Sequence, residues 1–154
     1  MSTRGLIFAG TALLAVVLDQ ATKYVLRQTL ELGSAPVELL PFVSVHHVRN
    51  PGVAFSLLSG AGELLVVVGV GLLAMIVWIA ARTPADDRIT LIGLGALAGG
   101  AVGNIIDRVR FGAVVDFIDV GRWPTFNVAD IFIVVGVALV VLQTFRRRPE
   151  HDAA

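Results

Sequence analysis

Four long apolar runs constrain this chain more than any other feature. They are Leu6 to about Val25, Leu64 to Ala81, Ile89 to Ile106, and Ile131 to Phe145. The last is 15 residues long and reaches spanning length only when Val128 to Asp130 are included. Runs approaching ~18–20 apolar residues cross a hydrocarbon core. A soluble domain carries about 25% charged residues; this chain of 154 has 16%, with a mean hydropathy of +0.83. It cannot cover itself with a polar surface. An ordinary soluble globule and a disordered chain are excluded, and the absence of cysteine excludes a disulfide-stapled secreted domain. Twelve basic and twelve acidic residues cancel, so no global field points to nucleic acid. The expectation is a single polytopic membrane domain over residues 1–154, with spans near 6–25, 64–81, 89–106 and 128–145.

The first run has a rival reading as a signal peptide, because Arg4 precedes it as an n-region would. The run continues to Asp19 and Lys23 without an A-x-A cleavage site, which favours a retained helix. Four spans place both termini on one side. Counting positive charges does not say which side. Arg4, Arg82, Arg88, Arg146, Arg147 and Arg148 balance Lys23, Arg27, Arg49, Arg108, Arg110 and Arg122, six against six. The Arg146–Arg148 cluster lies directly at a helix end, where such charge weighs most, and favours cytoplasmic termini.

The connections are unequal. Arg82 to Arg88 is a short polar turn with Pro84, whereas 26–63 and 107–127 are long and lie together on the opposite, outer face. Within them Phe42 to Val48 and Ala113 to Ile118 are rich in Val, Ile and Phe and read as short strands. Pro36, Pro41, Asn50-Pro51-Gly52 and Trp123-Pro124 read as turns. A small β-containing platform on the outer face is expected, and long structured loops in a short chain usually hold the chemistry. Gly95, Gly99 and Gly103 form a repeated G-x-x-x-G ridge, read as a seam for close helix packing.

Ionisable groups within a span cost ~2.5–3.5 kcal/mol on insertion scales, so each needs a reason. Asp19 and Lys23 are four apart, on one helical face and able to pair. Asp19 lies roughly 20 Å along from Leu6 at 1.5 Å per residue, toward the outer end. A structural ion pair and a role in positioning substrate both remain open for it. Asn104, Asp107 and Arg108 cluster an amide, a carboxylate and a guanidinium at the end of the third run, although Arg108 could simply snorkel.

Asp116 lies within Val114-Val115-Asp116-Phe117-Ile118, where a charge is poorly solvated. Asn127 and Asp130 open the fourth run and fit an N-cap and a first-turn carboxylate. Capping accounts for Asp130 but leaves Asp116 unexplained. A Gly-Arg-Trp-Pro turn between them allows a hairpin-like return that brings the two carboxylates together. Two carboxylates in a desolvated site share one proton, the equipment of an aspartic hydrolase. Asp116, flanked by Val115 and Phe117, is the expected holder of that proton, and Asp119 reads as a solvated loop charge. Other chemistries have less support. There is no cysteine nucleophile, and the adjacent His46 and His47 have the wrong spacing for helical metal ligands. Ser56 has no evident base in sequence, and a Ser-Lys arrangement with Lys23 has little to recommend it.

Five blocks in order resemble bacterial lipoprotein signal peptidase, also called signal peptidase II. They are Asp19-Gln20-Ala21-Thr22-Lys23, Asn50-Pro51-Gly52-Val53-Ala54-Phe55-Ser56, Gly103-Asn104-Ile105-Ile106-Asp107-Arg108, Val114-Val115-Asp116-Phe117 and Phe126-Asn127-Val128-Ala129-Asp130. The resemblance implies an all-α membrane core of four transmembrane helices with a small periplasmic β-cradle. It implies location in the bacterial inner membrane, both termini cytoplasmic, with the active site near the outer face. It also implies an aspartic endopeptidase with Asp116 and Asp130 as the catalytic pair. The implied substrate is a prolipoprotein cut just before a diacylglyceryl-modified cysteine. Asp19, Lys23, Asn50, Asn104, Arg108 and Asn127 carry over as supporting residues, while the role of Asp107 stays open. No metal or organic cofactor and no nucleic acid is expected; membrane lipids are.

Two other classes compete. A small four-helix proton-coupled exporter would place its acid near the midplane among aromatic residues. Here the second run has no acid, the third has none before its end, and tyrosine occurs once. A scaffold protein would have little use for so many clustered acids and amides.

Overall fold

A computed structural model describes residues 2–52 and 61–146. The Val53 to Ser56 part of the second block, and Arg147 and Arg148, lie outside the described residues. In chain order the elements are α1 (Thr3–Thr29), β1 (Val37–Leu40), β2 (Val43–Asn50), α2 (Ala61–Arg82), α3 (Arg88–Phe111), β3 (Val114–Asp119) and α4 (Val128–Arg146). All four helices are long and apolar enough to span a membrane. Leu13, Val67, Val134 and Leu142 are among the large apolar side chains left exposed on them, a surface suited to lipid. The chain is a multi-pass membrane protein.

Two helices run past the apolar blocks. α1 continues to Thr29 and α3 to Phe111, so Asp107 to Phe111 belong to a helix and not to the connection expected at 107–127. Hydropathy marks where lipid ends, whereas hydrogen bonding continues until a residue stops it. For α3 that residue is Gly112, left-handed at φ 70°, whose N–H bonds Arg108 O at 2.9 Å. Both expected strands form, each displaced by one or two residues. β1 is an addition that Pro36 and Pro41 had hidden by reading as turns.

α3 is the central helix. Of its apolar window 56% is buried, against 11% in each of the others. Glycine makes this possible. A Cβ at Gly95 would lie 2.7 Å from Phe8 O, one at Gly99 would meet Ala12 O, and one at Gly103 would land on the Asp19 carboxylate. The expected ridge is therefore the seam with α1. A second ridge on α3 faces α4, where a Cβ at Gly93 would lie 2.9 Å from Gly136 O. Gly99→Leu is expected to cost about 1–3 kcal/mol by overpacking. It should lower the thermal midpoint of the purified protein in detergent. Gly10→Leu, where nothing lies within 4 Å, serves as the control; equal midpoints would show that the seam is loose.

The strands form an antiparallel sheet in the order β1-β2-β3. Its β2–β3 register pairs Asn50 with Val114, Arg49 with Val115 and Val48 with Asp116. Side chains alternate across a strand. One face thus carries Val115 and Phe117 into an apolar cluster with Leu26, and the other carries Asn50 and Asp116 together. After β3 the chain turns through Gly121 to Pro124 and comes back. Phe126 bridges Ile118, its N–H bonding Ile118 O at 3.0 Å. This is the hairpin-like return anticipated from the turn residues, and it delivers α4 beside β3.

Candidate active site

α4 opens with a reciprocal cap. Asn127 Oδ1 accepts the Asp130 N–H at 3.0 Å, and Asp130 Oδ2 accepts the Asn127 N–H at 3.1 Å. The same asparagine reaches β3: its Nδ2 donates to Asp116 Oδ1 at 2.7 Å and to Asn104 Oδ1 at 3.2 Å. Both aspartates singled out in the sequence are therefore bonded to one fully buried residue.

The remaining oxygens are also held. Asn50 Nδ2 donates to Asp116 Oδ2 at 2.9 Å, while its Oδ1 accepts the Gly52 N–H at 2.9 Å in a tight turn. Asn104 Nδ2 donates to Asp130 Oδ1 at 2.9 Å. Asp116 is 3% exposed, whereas Asp130 is half-buried and keeps an open edge. Burial pushes the Asp116 carboxyl above the usual range. The amides of Asn50 and Asn127 oppose this, Asp130 adds to it, and Lys23 opposes it. Burial outweighs the opposing groups, as the flanking Val115 and Phe117 lead one to expect.

Beneath the pair lies an ionic layer. Lys23 Nζ stands 2.9 Å from Asp19 Oδ2, 2.8 Å from Asp107 Oδ2 and 3.2 Å from Asn104 Oδ1, with the lysine and both carboxylates fully buried. Asp19 and Lys23 do pair at four-residue spacing, but a second acid on α3 completes the group. Arg108 takes no part in it. Its Nη1 donates to Asn104 O at 3.4 Å and its Nε is buried without a hydrogen-bond partner among the described residues. Gln20 is the residue that sequence reasoning passed over. Its Nε2 reaches Asp19 Oδ2 and Asp107 Oδ1, each at 3.1 Å, and Gly103 O at 3.3 Å. An uncharged amide inside an apolar run gives little signal next to the charges that flank it.

Asp119 needs a correction. It is the last residue of β3, accepts the Gly121 N–H at 2.9 Å and stands 3.8 Å from His46 Nδ1, so it is a turn-holding side chain and not a free loop charge. His47 points elsewhere, its Nδ1 3.1 Å from Leu30 O. Among the described residues no three His, Cys, Asp or Glu side chains are grouped to hold a metal ion.

An apolar cleft of about 290 Å³ adjoins Asp130, lined also by Trp123, Phe126, Ile131, Val134 and Val135. A larger groove of about 510 Å³ lies between α1 and the sheet, among Val25, Leu39, Val45 and Phe117, and touches neither aspartate. Of the two, only the smaller cleft borders one of the paired aspartates.

The family model for signal peptidase (SPase) II matches residues 11–146, a stretch that includes every residue of this site. The chain belongs to the signal peptidase II family. It is similar to the lipoprotein signal peptidase of Moorella thermoacetica, 44% identical over 134 residues that cover 86% of this chain and 88% of that one. With the lipoprotein signal peptidase of Aeromonas hydrophila it shares 38% identity over 156 residues, 96% of this chain and 93% of the relative. A solved bacterial membrane enzyme, 32% identical, superposes with a TM-score of 0.83 over 90% of this chain and 92% of its own. This signal peptidase II homologue is a peptidase. Nothing in these matches supports a transporter.

Proposed function

We propose that the chain is an aspartic endopeptidase that removes the signal peptide from diacylglyceryl-modified prolipoproteins, cutting just before the lipidated cysteine. The observation that carries this reading is the sharing of Asn127 by Asp116 and Asp130, one almost fully buried and one half-open. Two acids in one desolvated site hold a single proton between them.

The division of labour follows from exposure. Asp116, where burial favours the protonated form, keeps the shared proton and hydrogen-bonds the scissile carbonyl oxygen. Asp130, with its open edge, takes a proton from water as the water oxygen attacks the carbonyl carbon. Asp116 gives its proton to the developing oxyanion. The tetrahedral diol then collapses: Asp130 passes its proton to the leaving nitrogen as the C–N bond breaks. Asp116 recovers a proton from the diol hydroxyl as the carbonyl re-forms. Protons balance over the cycle, and no metal is required by it. Asn50, Asn104 and Asn127 aim the carboxylates, and Asp19 and Lys23 support them from below.

The setting fits such a substrate. A signal peptide is itself a membrane-embedded helix, and its lipidated cysteine lies at an interface. The site lies where the C-terminal ends of α1 and α3 meet the N-terminal end of α4, hence at one membrane surface. Exposed Trp123 and Phe42 on the adjoining turns, and Leu40 at the end of β1, suit an interfacial position. We assign this surface to the outer face of the bacterial inner membrane, with both termini cytoplasmic.

Cleavage of a lipidated prolipoprotein by the purified protein in detergent tests the activity; no cleavage by folded protein overturns it. Topology has its own test. Reporter fusions at Glu38 and Asp86 should show opposite sidedness, with Glu38 outside. A periplasmic signal from the Asp86 fusion would invert the assignment.

A further inference from the structure

The two carboxylates that clamp Lys23 each do something more. Asp107 Oδ2 accepts the N–H of Val115, the residue immediately before Asp116, at 3.0 Å. Asp19 Oδ1 accepts the N–H of Ala129, the residue immediately before Asp130, at 2.9 Å. One ammonium joins both carboxylates, and Gln20 Nε2 bridges them a second time. The planar peptide leaves only two soft torsions per residue. Each dyad aspartate is thus two torsions away from an anchored N–H.

We infer that Asp107 is a positioning residue: with Lys23 and Asp19 it forms a clamp that sets the separation of Asp116 and Asp130. The inference rests on the aspartic reading of the pair. A fully buried ammonium between two carboxylates is stiff, because any slip leaves a charge unpaired in a low dielectric. Two catalytic groups that share a proton require such stiffness, since displacement of about 1 Å can cost on the order of 10²-fold in rate. Asp107 has no hydrogen bond to Asp116, Asp130 or Asn127, so it acts through the backbone of β3, through Lys23 and through Gln20.

Asp107→Asn tests this. One oxygen becomes an NH₂ group, so the Val115 N–H, Lys23 or Gln20 loses an acceptor while the shape is kept. With the full-length protein in detergent and a lipidated prolipoprotein, kcat should fall about 10- to 100-fold with KM within about twofold. The pH–rate profile provides a readout that a merely structural role would not move. The groups facing the pair are Asn50 from β2, Asn104 from α3 and Asn127 from α4. Lys23 of α1 is the cation that reaches Asp116, and Arg108 stays on the Asn104 backbone. Deleting one negative charge moves both limbs of the profile together to lower pH. Loosening the pair weakens the coupling of its two acids and brings the limbs closer together. A narrower bell supports the clamp; a bell shifted or lowered at unchanged width overturns it. Should Asp107→Asn fail to insert, Gln20→Leu decides. It removes the second bridge alone, with a fewfold fall in kcat and the same narrowing expected, and an unchanged profile refuting. A wild-type profile without a high-pH limb would instead refute the shared proton itself, leaving the clamp without an object.

Discussion

Asp116→Asn and Asp130→Asn should each lower cleavage of a lipidated prolipoprotein by about 10³-fold or more while leaving an inserted, folded protein. General acid–base groups contribute about 10²–10⁴-fold each, and here each aspartate serves both before and after the tetrahedral intermediate. Asparagine nearly preserves shape. The oxygen that remains can still accept from Asn127, through its side-chain amide at position 116 and its backbone N–H at position 130, so each variant gives up one amide contact. The folded state should therefore survive, which melting in detergent will show. Asp119→Asn is the matched control. Asparagine can still accept the Gly121 N–H, and the loss of a facing carboxylate 3.8 Å from His46 has little consequence for the dyad. Near wild-type cleavage by folded Asp130→Asn would reduce that residue to its part in the cap with Asn127.

The rate should trace a bell against pH. At low pH both acids are protonated and no base remains to accept a proton from water. At high pH neither holds a proton for the carbonyl oxygen. Burial raises the Asp116 carboxyl, so the high-pH limb should fall above the ordinary aspartate value of about 3.9. The two limbs are properties of the pair and do not belong to single residues. The same shift bears on stability. A group raised in the folded state contributes stability below its unfolded value, and that contribution is lost as pH rises through the folded value. Loss of rate at high pH must therefore be compared with melting at the same pH. A rate that climbs and then stays flat well above neutrality, in protein shown to be folded, would fit a single base and end the shared-proton mechanism.

The apolar runs located four helices because lipid imposes one requirement over ~20 residues at a time. The same runs missed the helix ends. Asp107 to Phe111 are polar or mixed in character yet helical, because backbone bonding continues until Gly112 turns left-handed. β1 was hidden for a related reason: Pro36 and Pro41 flank it, but its partner β2 supplies the pairing that holds it. Asp116 stood out because a charge among Val115, Phe117 and Ile118 has a visible cost. Gln20 did not, since an amide beside charged residues shows no local conflict, and Asp107 was visible only as part of a polar cluster, with its role open.

Composition and spacing were enough to require that the chain live in lipid, to mark a close-packing glycine seam on α3, and to allow Asp116 to return to meet Asp130. Each of these depends on spacing or composition within a short window, where one residue's cost is judged against its neighbours. Tertiary structure alone decided that Asn127 serves both aspartates. It also decided that Lys23 has two carboxylate partners, and that those partners hold the N–H groups just before the dyad. Asp19 and Ala129 are 110 residues apart. A hydrogen bond is satisfied within about 3 Å in space and is indifferent to distance along the chain, so only the packing of α3 between α1 and α4 could bring those groups together.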